Sequence, residues 1–215
     1  MRRTAPAGSL VGVLPTFWPE LGFLACAAKT KTLVLLDDVP FRSEDGLHRA
    51  RVRDHGVEVL LTVPLRASAA RAPLGAIEIR DPSGWAGRMM RALEHAYQDA
   101  PFLEHHRCDL ARLLFHDWRQ LVALDLAMLR FLLRAFELPH EVLRASELPA
   151  GSTVPARTLP QHGPVWDRSA LDALLWLGPA ARGLLRPTHP IAPHSRAPRR
   201  PARAAPRPQR GVARV

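Results

Sequence analysis

Lysine is almost absent from this chain: of its 30 Lys and Arg residues, all but Lys29 and Lys31 are arginine. Cysteine is scarce as well. Cys26 and Cys108 are too few and too far apart for a disulfide framework or a zinc set, and each is expected to pack as a small buried hydrophobe. No apolar run approaches the roughly eighteen residues of a membrane-spanning helix. Pro15, Pro19 and Glu20 interrupt what would be the apolar region of a signal peptide, so a cytoplasmic location is expected. A glycine-rich phosphate loop, a zinc spacing and a nucleophile elbow are all missing. No metal is expected, and the residues name no cofactor.

The charge that is present lies mostly at one end. Residues 186–215 hold eight arginines and no acid, which accounts for all but about two of the ten net positive charges. A near-neutral body argues against nucleic acid as a partner. The same tail carries seven prolines and few large apolar groups. Such a composition cannot offset chain entropy by burial, and disorder is expected there.

Hydrophobic periodicity divides the remainder. Leu10–Leu14 and Leu33–Leu36 have the length of buried strands, with a loop and a helix over Glu20–Ala28 between them. That is the βαβ pattern of a parallel sheet. Val57–Val63 reads as a further strand after the turn Asp54-His55-Gly56, and Ala76–Ile79 as a short one. Beyond Pro82 the period lengthens. Trp85, Met89, Leu93 and Tyr97 share one helical face, and Leu121, Leu124, Met128, Phe131, Leu132 and Ala135 form a second stripe that Pro139 ends. The fold class expected is α/β: a parallel or mixed sheet in the N-terminal half, with helices over 85–137 capping one side of a crevice. The domain should span residues 9–150, with 151–185 a poorly defined remnant and 186–215 the disordered tail.

Three motifs stand close together: Val-Leu-Pro-Thr-Phe-Trp-Pro-Glu-Leu-Gly-Phe from Val13, Leu-Leu-Asp-Asp-Val-Pro-Phe from Leu35, and Leu-Thr-Val-Pro from Leu61. Together they resemble the WbqC-like family of bacterial proteins. Pro15, Phe17, Pro19, Gly22, Phe23, Asp37, Asp38, Val39, Phe41 and Leu61 to Pro64 fall in register, and the likeness continues to Ser146-Glu147-Leu148. The resemblance implies a role in building surface polysaccharide such as O-antigen, as a transferase-like protein acting on a nucleotide-linked sugar or its acyl donor. A non-catalytic binding or scaffold protein that keeps the cleft is the alternative. Oligomeric state is not indicated.

Candidate site residues follow from both lines of argument. Asp37 and Asp38, at the end of an apolar strand, are the candidate catalytic carboxylates, and adjacent strand residues face opposite ways. The element His48-Arg49-Ala50 resembles one of the family's and makes Arg49 a candidate anion fork, with His48 and Thr62 as further substrate-binding candidates. Trp85 and Tyr97 are expected in the core, and for Ser146 helix or turn capping is as good an account as catalysis. His105, His106 and Cys108 lack the partners of a metal site. Val13 and Met89 stand where the family usually carries histidine, and neither can move a proton. After Leu148 the family-like pattern gives way to Arg, Pro and Ala, as GC-rich codons do when read out of phase.

Overall fold

Leu33, Val34 and Leu35 lie at the centre of the sheet. The computed structural model describes residues 10–54, 57–66, 72–81, 84–149, 151–152, 154 and 169–185. In it strand β2 (Thr32–Leu35) lies between two parallel partners, β1 (Leu10–Val13) and β5 (Glu141–Arg144). Val11 pairs with Leu33, and Leu33 in turn with Val142. Every residue of β2 is buried, which is why this strand reads as an unbroken apolar run and not as an alternation. Helix α1 (Leu21–Ala27) connects β1 to β2 and buries Leu21, Phe23, Leu24 and Ala27, completing the βαβ unit.

Val57–Val63 does not extend this sheet. Strands β3 (Arg49–Asp54) and β4 (Val57–Thr62) pair antiparallel as a separate two-stranded ribbon. Ala50 and Val52 turn inward while Arg49, Arg51 and Arg53 face out, so one face is buried and the other solvated. His55 and Gly56 of the expected turn lie outside the described residues. Ala76–Ile79 is not a strand either. Leu74–Ala76 forms a 3-10 turn, followed by single bridges from Ile79 to Leu65 and from Glu78 to Gln120. Burial of Ile77 and Ile79 gives that segment its apolar character without a ladder.

Helices α2 (Gly84–Ala96), α3 (Leu103–Leu114) and α4 (Leu121–Ala135) follow. Trp85, Met89, Leu93 and Tyr97 are buried as one face, as are Leu121, Leu124, Met128, Phe131 and Leu132. The cysteine expectation is corrected: Cys26 is half-buried and Cys108 exposed, both as free thiols, because Cys108 lies on the outer face of α3.

A fifth helix, α5 (Ala170–Leu177), runs into a 3-10 segment over Gly178–Leu185. The Ser169 hydroxyl accepts from the Leu171 N–H at 3.1 Å as an N-cap, and Leu171, Leu174, Leu175, Ala181 and Leu185 enter the core. Phe102 N donates to the Leu175 carbonyl at 3.1 Å. Gly178, at φ +55°, leaves the Phe102 ring a place that a Cβ would fill, at 2.4 Å. Tyr97 Oη donates to Asp172 Oδ1 in the interior. The tail, 186–215, lies outside the described residues.

Candidate functional site

The carboxyl ends of parallel strands are where ligands gather in open α/β sheets, and two polar centres stand at this edge. The first is built on Asp37, two residues beyond β2. Its carboxylate is buried, with 2 % of the residue exposed. Oδ2 accepts from Arg144 Nε and Nη2, each at 2.8 Å, and from Ser146 Oγ at 2.7 Å, while Oδ1 accepts from the Ser146 backbone N–H at 2.9 Å. Gly75 covers the group: its N–H donates to the Asp37 carbonyl at 2.7 Å, and a Cβ there would lie 3.3 Å from Oδ2. Ser146 thus gives both its N–H and its hydroxyl to the Asp37 carboxylate. Charge-assisted bonds of this number and length use up the acceptor capacity of a carboxylate. Asp38 is exposed; both carboxylates lie past the end of β2, so the expected strand alternation is not what separates them.

The second centre is a crevice of about 250 Å³ beside the loop that leaves β1. Its floor is aromatic, made of Phe17, Trp18 and Phe23, and its walls carry Glu20, Glu44, Asp45, Arg49 and Arg51. Phe17 N donates to the Leu47 carbonyl at 2.8 Å, tying the loop to the start of the hairpin, and Ala170 N donates to the Pro19 carbonyl at 2.9 Å. Ser169 lines the crevice too. The expected helical cap over 85–137 supplies none of the lining residues; the hairpin and Ser169, the residue before α5, border the space instead. Trp18 sits at φ +46°, in the left-handed region that few non-glycine residues adopt. Its indole Nε1 is buried without a partner among the described residues, and its ring meets Phe131 edge-on at 6.2 Å.

Of the five sequence-predicted site residues, Arg49 alone lines this crevice. Its Nε donates to His48 Nε2 at 3.2 Å. An accepting Nε2 fixes the tautomer with the proton on Nδ1, and that atom is buried with no partner among the described residues. Burial, then the charge of Arg49, pushes the His48 pKa down, so the ring is a neutral prop under the guanidinium. It packs edge-on to Phe41 at 5.8 Å. Thr62 is directly opposite Arg49 across the hairpin, exposed and on the same face, outside the lining. Burial pushes the Asp45 carboxyl above its ordinary pKa, with Arg42 opposing and Glu44 adding to the rise.

Arg51, Glu44, Asp45, Glu20 and Trp18 were not singled out from the sequence as site residues. Strand alternation from Arg49 locates Arg51, which shares its face and reaches Glu58 at 3.3 Å. The others are brought in by loop closure, for which the sequence carries no periodic signal. Among the described residues no three His, Cys, Asp or Glu side chains are placed to hold a metal ion, and no helix is long and apolar enough to cross a membrane.

A parallel βαβ core with a charged, aromatic-floored crevice at its carboxyl edge defines an α/β protein. The chain belongs to the WbqC-like protein family, whose sequence model matches residues 15–160. No curated protein and no solved structure matches it. The family match and the packing of 169–185 both run past the point at which the family-like pattern was expected to stop.

Proposed function

We propose that the crevice at Arg49 binds an activated, nucleotide-linked sugar or its acyl donor, and that the protein acts as a transferase-like member of a surface-polysaccharide pathway. The observation that carries this is one crevice lined by Arg49, Arg51 and three carboxylates together with Phe17, Trp18 and Phe23. Guanidinium groups match the oxygens of a diphosphate or carboxylate. Carboxylates accept from sugar hydroxyls, and aromatic faces pack on apolar ring surfaces. At about 250 Å³ the space is smaller than pockets that engulf a drug-sized molecule, so it encloses one end of a nucleotide-sugar and leaves the rest outside.

In this proposal Arg49 holds the anion, His48 positions Arg49, and the Thr62 hydroxyl lies beside the entrance. Asp45, whose carboxyl burial holds above its ordinary pKa, is the candidate for proton transfer, and Asp38 is the exposed carboxylate beside Asp37. Asp37 shapes the edge of the sheet through Arg144 and Ser146. A calorimetric titration with a nucleoside-diphosphate hexose, the free hexose and the nucleoside diphosphate tests this. Saturable binding of the first, weakened about tenfold or more by Arg49→Lys, is expected. Equal affinity in that variant removes the crevice from the proposal.

A non-catalytic binding protein is the second reading, and one observation favours it. Val13 and Met89, standing where the family usually has histidine, are buried at 0 % and 5 % exposure, and Asp37 is already engaged. Mass spectrometry of the incubated nucleotide-sugar separates the two: transfer or hydrolysis supports the enzyme, and retained binding with no turnover supports the binding protein.

A further inference from the structure

The groove between α3 and α4 shares no lining residue with the Arg49 crevice and has a volume of about 550 Å³, within the range of small-molecule sites. Helical spacing puts His105, Asp109 and Arg112 on one face of α3, and His106 joins them at the groove. Phe131 and Arg134 come from α4 and Trp118 from the loop between the helices. The only acid in the lining, Asp109, is engaged by Arg112 at 3.5 Å.

Arg107 pairs with Glu94 at 2.9 Å, and Arg182 pairs with Glu137. Like Arg88 and Arg91 of α2, Arg134 is instead an exposed arginine with no ion pair among the described residues; what sets it apart is the aromatic wall beside it. A cation in the last turn of a helix is favoured by the helix dipole alone, and that would account for Arg134 on an ordinary surface. It does not account for the aromatic wall beside it. Phe131 is buried, and His106 meets its ring edge-on at 5.9 Å and 89°. His105 stands 4.7 Å from His106, and the Trp118 indole is fixed by donation from Nε1 to the Leu113 carbonyl at 2.6 Å. Flat rings held by packing and hydrogen bonding, next to an uncompensated guanidinium, match a ligand that is planar at one end and anionic at the other.

We propose that this groove binds a small aromatic anion, with Arg134 on its phosphate or carboxylate and the rings of His106, Phe131 and Trp118 lining the space around its planar end. The site is separate from the proposed sugar-nucleotide crevice and does not depend on it. The test is calorimetry of the full chain with AMP, adenosine and nicotinate as probes. AMP and nicotinate separate phosphate from carboxylate as the anion, and adenosine isolates the ring. Binding of AMP or nicotinate is expected, weakened at least tenfold by Arg134→Ala, with adenosine much weaker than AMP. Arg134 is exposed, so its removal leaves the fold intact, and an unchanged melting temperature verifies this. Arg49→Ala is expected to leave binding of the retained probe unchanged. The proposal is overturned if neither anion binds at millimolar concentration, if Arg134→Ala binds as the wild type does, or if Arg49→Ala abolishes binding while Arg134→Ala does not.

Discussion

Asp37 and Arg49 stand near the same edge of the sheet and have opposite surroundings. Asp37 is closed: Arg144 and Ser146 occupy its oxygens and Gly75 lies over it. Arg49 is open, with Nε on His48 and its remaining nitrogens facing a crevice. The residue in the most specific motif is thus the one whose bonding is complete within the chain. A motif marks a place in the fold that needs particular side chains, and the need is as readily met by joining β2 to β5 as by holding a ligand.

Each half of that contrast has its own signature on substitution. Asp37→Ala strands Arg144 beside an emptied position and should cost about 3 kcal/mol, the low end for breaking a buried pair because Arg144 retains some exposure. Urea unfolding measures it, and a loss below about 1 kcal/mol would show that the centre is not closed. Tyr97→Phe strikes another closed pair, removing the hydrogen bond to Asp172 that ties α5 to the end of α2. About 2 kcal/mol should be lost, the scale of removing the donor from a buried acceptor; an unchanged unfolding midpoint would mean that the pair contributes nothing.

The open half responds differently. Arg49→Lys keeps the charge and loses the fork. Affinity for a nucleotide-sugar should fall about tenfold, or about 1.4 kcal/mol, with no change in melting temperature.

Asp125 belongs to neither half. It is buried at mid-α4, both oxygens without a partner among the described residues, and burial raises its pKa well above the ordinary value. The folded state then holds a proton that the unfolded state releases, so stability falls as pH rises above the unfolded-state pKa of about 4. Asp125→Leu, nearly isosteric, should remove that slope and stabilise the protein at neutral pH by about 1 kcal/mol. Melting curves between pH 4 and pH 8 compare the two proteins. A parallel pH dependence in both would place the proton elsewhere.

Sequence pattern carried the βαβ unit and the helical faces, because Leu33–Leu36 and the Trp85 and Leu121 stripes have one period each and tertiary contacts agree with it. β5 and the Arg49–Asp54 strand escaped notice for a physical reason. Glu141-Val142-Leu143-Arg144 is four residues with polar ends, held by pairing to β2, and arginines on every second position of β3 hide its inward Ala50 and Val52. Helix α5 follows a long Pro/Arg-rich stretch, and its apolar face becomes informative only once Phe102 and Tyr97 lie against it. Although both lie past the end of β2 and strand alternation is not the cause, that Asp37 and Asp38 would differ in exposure was legible. That Asp37 would find Arg144, 107 residues away, was not.

The central claim, that the closed centre holds the fold while the open one holds ligand, is tested most directly by melting three proteins with and without a nucleoside-diphosphate hexose. Wild type should gain several degrees from the ligand. Arg49→Ala should melt with the wild type in its absence and gain nothing from it, whereas Asp37→Asn should melt lower and still gain. The reverse pattern, with Asp37→Asn losing the ligand shift at an unchanged melting temperature and Arg49→Ala keeping it, would contradict the account.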